Sequence, residues 1–349
     1  MTVDRTRSES MNESLSRLDE KKLVPYLEAN IADFKGPVRI EKFSGGQSNP
    51  TYKMTTQRKS YVLRRKPPGE VLSSAHQVGR EALVMGALRG TDVRVPEIYH
   101  HCEDKKIIGQ EFYVMGFLEG RVFWDPLLPK LRPDERRSVY EALVDELTAL
   151  HAIEPGTIGL AEFGPSGNYF RRQVKRWTKQ YRAGQVRIDD MDWLADCLLD
   201  NIPDQQSTSI VHGDYRLDNA VFTPDCVDLM GLLDWELATL GSPLADLSYF
   251  SLGWRVPLTL KPGPNLVTSD LKELGIPQIE EIHERYFEQS GLSPPSSFDF
   301  YHAYNLFRLG AILHGIGERA RKGNASSEQA AKLAVKVPMV AALARNLCR

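Results

Sequence analysis

Apolar positions divide the chain into a β-patterned first third and a helical remainder. Leu23, Leu27 and Ile31 recur on one face and predict a helix over Leu18–Ala32. Val38–Ile40, Thr51–Met54 and Tyr61–Arg64 then read as short strands, the last stopped by Pro67-Pro68-Gly69. A helix is expected from Ser74 to Arg89, with Ser73 or Ser74 as its N-cap and Gly90 beyond its end. Strands near Ile98–Cys102 and Glu111–Phe117 precede a break at Gly120. Beyond it, Val139, Leu143, Leu147 and Leu150 form a helical stripe. Further helices are expected over 169–184, 190–201, 243–252, 269–290, 297–320 and 326–346, interrupted by a β-rich insert from Ser209 to Asp234.

This pattern predicts an α+β chain in three parts. Residues 1–34 are an N-terminal tail and helix, 35–117 a small antiparallel β lobe with one long helix, and 118–349 a large, mainly helical lobe. Composition changes the picture little. With 42% hydrophobic and 26% charged residues the chain reads as a soluble globular protein. A net charge of −2 gives no electrostatic argument for nucleic acid or an anionic membrane surface. The polar N-terminus lacks the apolar core of a signal peptide, and no run is long enough for a membrane helix. Cys102, Cys197, Cys226 and Cys348 share no metal-like spacing and read as reduced thiols, so a cytoplasmic location is expected.

The chemistry concentrates in the β-rich insert. His212-Gly213-Asp214 is followed by Asn219, five positions after the aspartate, which is the spacing of the catalytic loop of protein kinases. A loop of that length aims a carboxylate and a carboxamide at one ligand. Fifteen residues beyond Asn219, Asp234 ends the apolar run Leu232-Leu233 and precedes Trp235-Glu236. A charge at the end of an apolar strand is costly unless paired, and Mg²⁺ is a natural partner.

These residues resemble the aminoglycoside phosphotransferase and choline kinase family, over about Phe43 to Ser251 and on through the C-terminal helices. The run from Tyr61 to Gly69, with Arg80-Glu81, is similar to the kinase-like module attached to some acyl-CoA dehydrogenases, of which this chain would be a stand-alone form. The resemblance implies a bilobal protein-kinase-like fold and transfer of the γ-phosphoryl group of ATP, with Mg²⁺, to a small hydroxyl-bearing acceptor. It implies Asp214 as the catalytic base, Asn219 and Asp234 as Mg²⁺ ligands, and Ser44, Gly45, Gly46, Gln47, Ser48 and Asn49 as the nucleotide loop. Glu81 matches the helix glutamate that pairs with a strand cation, and the hinge Tyr113–Phe117, including Met115 and Phe117, would meet adenine.

Where protein kinases carry lysine on the third strand, this chain has Arg64, with Arg65 and Lys66 beside it. Alternation puts Arg64 and Lys66 on one face; Arg64 is preferred as the phosphate cation, with Lys66 as the alternative. That departure keeps a nucleotide-binding pseudokinase open as a second function. His212 is read as packing beneath its loop rather than as a base, Asp246 as holding the loop's backbone, and Trp235 as packing or acceptor contact. Asp218 faces solvent or acceptor. Arg308, His314 and Arg319 are taken as solvated helix charges, with contact to an anionic acceptor such as a carboxylate or CoA phosphate as the alternative, and His100-His101 as a strand-edge feature, since no third metal ligand is near in sequence. The basic C-terminal helices favour a hydroxy acid or hydroxyacyl-CoA as acceptor, with an aminoglycoside or aminoalcohol as the alternative.

Overall fold

The structure is a computed structural model that describes residues 18–43, 49–67, 77–225, 227–257, 263–321 and 334–348. Ser44, Gly45, Gly46, Gln47 and Ser48, the expected caps Ser73 and Ser74, Cys226, and the start of the expected 326–346 helix lie outside the described residues. The chain divides into two compact units: Met1–Arg121 with Ala220–Cys226 and Met230–Leu237, and Val122–Asn219 with Val227–Leu229 and Ala238–Arg349.

The first unit opens with helix α1 (Glu20–Asn30) and strands β1 (Arg39–Lys42), β2 (Thr51–Thr55) and β3 (Ser60–Arg65). Helix α2 (Val78–Leu88), strand β4 (Ile98–Cys102), the single turn α3 (Lys105–Ile108) and strand β5 (Phe112–Gly116) follow. The strands form an antiparallel sheet in the order β1-β2-β3-β5-β4. Alternation sends Tyr52, Met54, Tyr61, Leu63, Phe112 and Val114 into one core, where Leu23 and Leu27 of α1 and Phe34 join them. The helix expected as a separate N-terminal element is thus part of the sheet's core. Helix α2 begins at Val78, later than the sequence suggested, because its buried face starts there with Val78, Ala82 and Met85. Strand β6 (Arg121–Val122) comes last in this stretch.

The second unit carries α4 (Pro133–Ala152), α5 (Tyr169–Arg182) and α6 (Asp189–Asp200), then strand β7 (Ser209–Val211). Strands β8 (Ala220–Phe222), which belongs to the first unit, and β9 (Leu229–Leu232), most of which does, form a three-stranded sheet with β6; in the second unit β10 (Thr239–Gly241) pairs antiparallel with β7. The remaining helices are α7 (Leu244–Arg255), α8 (Leu271–Leu274), α9 (Ile279–Ser290), α10 (Asp299–Arg321) and α11 (Val337–Leu347). The single helix expected over 269–290 is two. Gly275, at φ 72°, closes α8, and a Cβ there would lie 2.4 Å from the Pro133 carbonyl oxygen. Pro277 follows, and the helix resumes only after Gln278, whose backbone N–H donates to Glu281 at 2.7 Å.

Helix α10 is buried on most of its surface and takes polar groups inside: His302, Asn305, Arg308 and His314. His302 and His283 share the Ser251 hydroxyl, at 3.2 and 3.0 Å, and His283 stacks on Phe298 with ring centroids 3.9 Å apart. Burial, reinforced by Arg255, pushes His283 down to about 4 and, with His283 and Arg255 nearby, His302 to about 3, from 6.5. The folded state therefore holds both rings neutral. Their stabilising contribution is complete above pH 6.5 and is lost progressively as pH falls toward 4. Acidification is expected to cost on the order of 3 kcal/mol by pH 4 from such a shift. Urea midpoints measured across that window check this, and substituting Gln for His283 and His302 should flatten the dependence.

Candidate active site

In the first unit one guanidinium gathers three carboxylates. Arg64 leaves β3 opposite Tyr113, on the side of the sheet that α2 covers. Its Nε ion-pairs with Glu81 Oε2 at 2.9 Å, and one terminal nitrogen reaches Asp234 Oδ1 at 2.7 Å and Glu236 Oε2 at 3.2 Å. Glu81 also accepts hydrogen bonds from Asn49 Nδ2 at 2.9 Å and the Tyr113 hydroxyl at 3.0 Å. Burial, together with the Asp234 and Glu236 charges, raises the Glu81 carboxyl to about 7 against the opposing pull of Arg64. Lys66 pairs instead with Glu111, and Arg65 is buried, its guanidinium over the Tyr52 ring. Arg64 is therefore the cation that meets Glu81.

Asp234 occupies the left-handed region at φ 65°, which turns its carboxylate out of the strand while Trp235 packs inward, its Nε1 donating to the Leu232 carbonyl at 3.1 Å. The hinge strand is tightly paired: the Phe117 N–H donates to Ser60 O at 3.3 Å and that of Gly116 to Glu97 O at 2.8 Å. Met115 lies opposite Val62 and Ile98. His101, Glu103 and Glu111 bring ligand atoms within 4.8 Å of one another, so the sequence reading overlooked Glu103, two residues beyond His101, and the fold adds Glu111. Lys66 already sits on Glu111, and the group is an ion-pair network carrying its own cation.

The second unit holds the loop after β7. Gly213, at φ 84°, makes the turn that a side chain would strain. Asp246, near the start of α7, accepts the amides of His212 at 2.6 Å and Gly213 at 2.9 Å. His151 in turn meets Asp246 at 3.4 Å and the Tyr286 hydroxyl at 2.7 Å. His212 is fully buried and its Nδ1 accepts the Asp214 amide at 3.2 Å. It is scaffold, as the sequence suggested.

Asn219 Nδ2 donates to both the carbonyl and Oδ2 of Asp214, at 2.9 Å each. The side-chain oxygen of Asn219 is thereby turned away from Asp214. Arg216 Nε stands 3.4 Å from Asp214 Oδ2, and its terminal nitrogen pairs with Asp218 at 3.0 Å. Burial would raise the Asp214 carboxyl, but Arg216, Arg308, His212 and a hydrogen bond from the Tyr249 hydroxyl outweigh it and hold it below the usual carboxylate range.

Sequence reasoning missed two residues here, Tyr249 and Arg308. Arg308 is not solvated: it is buried on α10 and donates to the Gly213 carbonyl. His314 is buried too, bonded to the Val186 carbonyl at 2.8 Å, whereas Arg319 is exposed as expected. The signal was available in the spacing of Tyr301, Tyr304, Asn305 and Arg308, one helical face that the structure buries throughout.

A cavity of about 250 Å³ opens in this unit at Arg216 and Asp218 of the loop, lined among others by Trp124, Tyr140, Tyr249, Trp254 and Leu266. Its aromatic wall is cross-braced: Tyr140 meets Trp254 edge-on at 5.1 Å, and Phe250 lies 5.7 Å from Trp254 and 5.8 Å from Tyr215.

A strand cation paired with a helix glutamate, and a loop that presents a carboxylate braced by a carboxamide, define a kinase-like phosphotransferase. The chain belongs to the phosphotransferase enzyme family, whose model matches residues 39–282. Acyl-CoA dehydrogenase family member 10 of Mus musculus is 41% identical over 296 residues, covering 84% of this chain and 28% of that protein. Family member 11 of Rattus norvegicus is 36% identical, covering 100% of this chain and 46% of its own length. The chain thus spans less than half the length of these relatives. A crystal structure of a Ralstonia eutropha protein assigned as an aminoglycoside phosphotransferase shares 39% identity, with a TM-score of 0.85 over 95% of this chain and 98% of that one. A thermostable mutant of aminoglycoside phosphotransferase APH(4)-Ia, in ternary complex with ADP and hygromycin B, shares the fold at 15% identity and a TM-score of 0.58, over 93% and 98% of the two chains. The fold is α+β and kinase-like, an antiparallel sheet unit with a mainly helical one.

Proposed function

We propose that the protein is an ATP- and Mg²⁺-dependent O-phosphotransferase acting on a small hydroxyl-bearing acceptor, preferably a hydroxy acid or hydroxyacyl-CoA. The cavity at Arg216 and Asp218 carries this reading. Among the described residues its wall is rich in aromatics, its cation is Arg216, and its one lining carboxylate, Asp218, is already paired with that cation. A polycationic aminoglycoside would need several unpaired carboxylates; an acceptor with an apolar body and an anionic group would not. The module borne by acyl-CoA dehydrogenase family members supports the same choice.

In this reading Asp214 accepts a hydrogen bond from the acceptor hydroxyl and orients its oxygen toward the phosphoryl group. Asn219 fixes that carboxylate through Nδ2 and keeps a carboxamide oxygen for Mg²⁺; Asp234 offers a carboxylate oxygen. These hard oxygen donors suit Mg²⁺, which when bound would neutralise phosphate charge. Arg64 supplies a cation toward the phosphates, with Ser44–Asn49 as the nucleotide loop and Met115 and Phe117 near adenine. The Arg64–Glu81 pair supports a competent nucleotide site over a pseudokinase. Free thiols at Cys102, Cys197 and Cys348 fit a reducing, cytoplasmic setting, and among the described residues no helix is long and apolar enough to cross a membrane.

The test is incubation with Mg-ATP and a panel of hydroxyacyl-CoAs, hydroxy acids, aminoglycosides, choline and sugars, followed by mass spectrometry for a phosphate increment. Arg216→Ala is expected to raise KM for anionic acceptors about 2- to 5-fold, the effect of one screened charge contact. Phosphorylation confined to aminoglycosides would sink the preference for an anionic acceptor.

A further inference from the structure

The catalytic loop is held from both sides by groups of opposite sign. Asp246 takes the amides of His212 and Gly213, and Arg308 donates to the carbonyl of Gly213 from α10. Arg308 has a second arm: its guanidinium lies over the Tyr249 ring, 5.1 Å from the centroid, and also over Trp177 at 5.7 Å. Tyr249, on α7, lines the acceptor cavity, and its hydroxyl helps hold the Asp214 carboxyl below the usual carboxylate range. Two routes thus run from Arg308 to the same aspartate, one through the backbone and one through Tyr249.

We propose that Arg308 and Tyr249 are the positioning residues of this loop, together setting where the Asp214 carboxylate meets the acceptor hydroxyl. The proposal rests on the phosphotransferase reading above and adds to it the origin of the loop's precision. Arg308 spends a buried charge beneath a loop whose backbone alone would need only a neutral donor. That charge is not solvated, nor, among the described residues, held in a carboxylate ion pair; its buried surroundings include the phenols of Tyr169, Tyr304 and Tyr249, with Asp214 close by. A planar guanidinium can bond one carbonyl and lie against two rings at once, which an ammonium cannot do as well. Tyr249 then stands between this fixed point and the incoming substrate, so it couples acceptor placement to Asp214.

The experiment compares Arg308→Met, Arg308→Lys, Tyr249→Phe and the double variant Arg308→Met/Tyr249→Phe, using whichever panel acceptor is phosphorylated. Arg308→Met is expected to lower kcat ~10- to ~100-fold, the scale of a misplaced catalytic group, with KM for ATP within ~2-fold. Arg308→Lys should recover part of the loss. Tyr249→Phe should lower kcat and raise KM for the acceptor alone, and the double variant should lose less than the product of the two single losses. An unchanged kcat in folded Arg308→Met, equal losses for Met and Lys, or independent effects of the two sites would overturn the proposal. Tyr249→Phe removes one oxygen from a partly exposed residue and keeps the test available if Arg308→Met does not fold. If the wild type phosphorylates no acceptor, the function reading fails separately. Amide exchange of residues 210–219 then decides: faster exchange in Arg308→Met, restored by Lys, upholds the proposal, and unchanged exchange overturns it.

Discussion

Asp214→Asn is expected to cut phosphoryl transfer by ~10²- to ~10⁴-fold, the range for a lost general base, while leaving ATP affinity nearly intact. The substitution keeps the shape and removes the charge. Asn219 Nδ2 and Arg216 Nε now converge on Oδ2 of a carboxylate; on a carboxamide one of them would face an N–H or a much weaker acceptor. The acceptor hydroxyl would lose the anionic partner that polarises and aims it. Since Arg216 and Arg308 outweigh burial and keep the carboxyl below its usual range, Asp214 is ionised throughout the neutral region and the rate should not fall near neutrality through its protonation. Steady-state rates with ATP and acceptor varied separately measure this. A variant whose loss lay wholly in KM for ATP would refute the assignment.

Arg64→Met is expected to have the largest effect on stability, ~3–5 kcal/mol, the scale for removing one partner of a buried ion pair. Glu81 is 1% exposed and would lose its cation while Asp234 and Glu236 remain close enough to repel it. The pH dependence has a definite sign. A carboxyl whose folded value is already raised to about 7, from 4.5, favours the protonated folded state, so its contribution is present at low pH and lost as pH rises through that value. Without Arg64 the carboxyl rises further, and the variant should be least unstable in mild acid and most unstable in mild alkali. Denaturant unfolding at both pH values tests this. Arg64→Lys keeps the charge but cannot hold three carboxylates in the same geometry, and should fall between. Wild-type stability in Arg64→Met at alkaline pH would show that the cluster is not a structural ion pair.

The strand and helix types were legible because the periods are strong, from Tyr52 and Met54 in β2 to Leu143 and Leu147 in α4. Boundaries failed where one residue overrides the pattern, as Gly275 and Pro277 do between α8 and α9. The loop residues Asp214 and Asn219 were legible from spacing alone, and the pairing of Arg64 with Glu81 from the resemblance. Tyr249 and Arg308 were not, since their role depends on tertiary packing of α7 and α10 around the loop. A charged residue on a helix reads as solvated by default, and only the burial of its neighbours Tyr301 and Tyr304 says otherwise. The cavity at the loop was equally hidden, because its walls come from segments far apart in sequence.

The backbone at Asp234 has its own consequence for how this position tolerates change. At φ 65° it lies in a region that asparagine and aspartate enter several-fold more readily than other side chains bearing a Cβ. Glutamate would preserve the charge and lose the conformation; asparagine would preserve the conformation and lose the charge. Two separate demands, one on the carboxylate and one on the peptide, therefore select the same amino acid. The substitution that looks most conservative on paper is the one this turn is least able to accept.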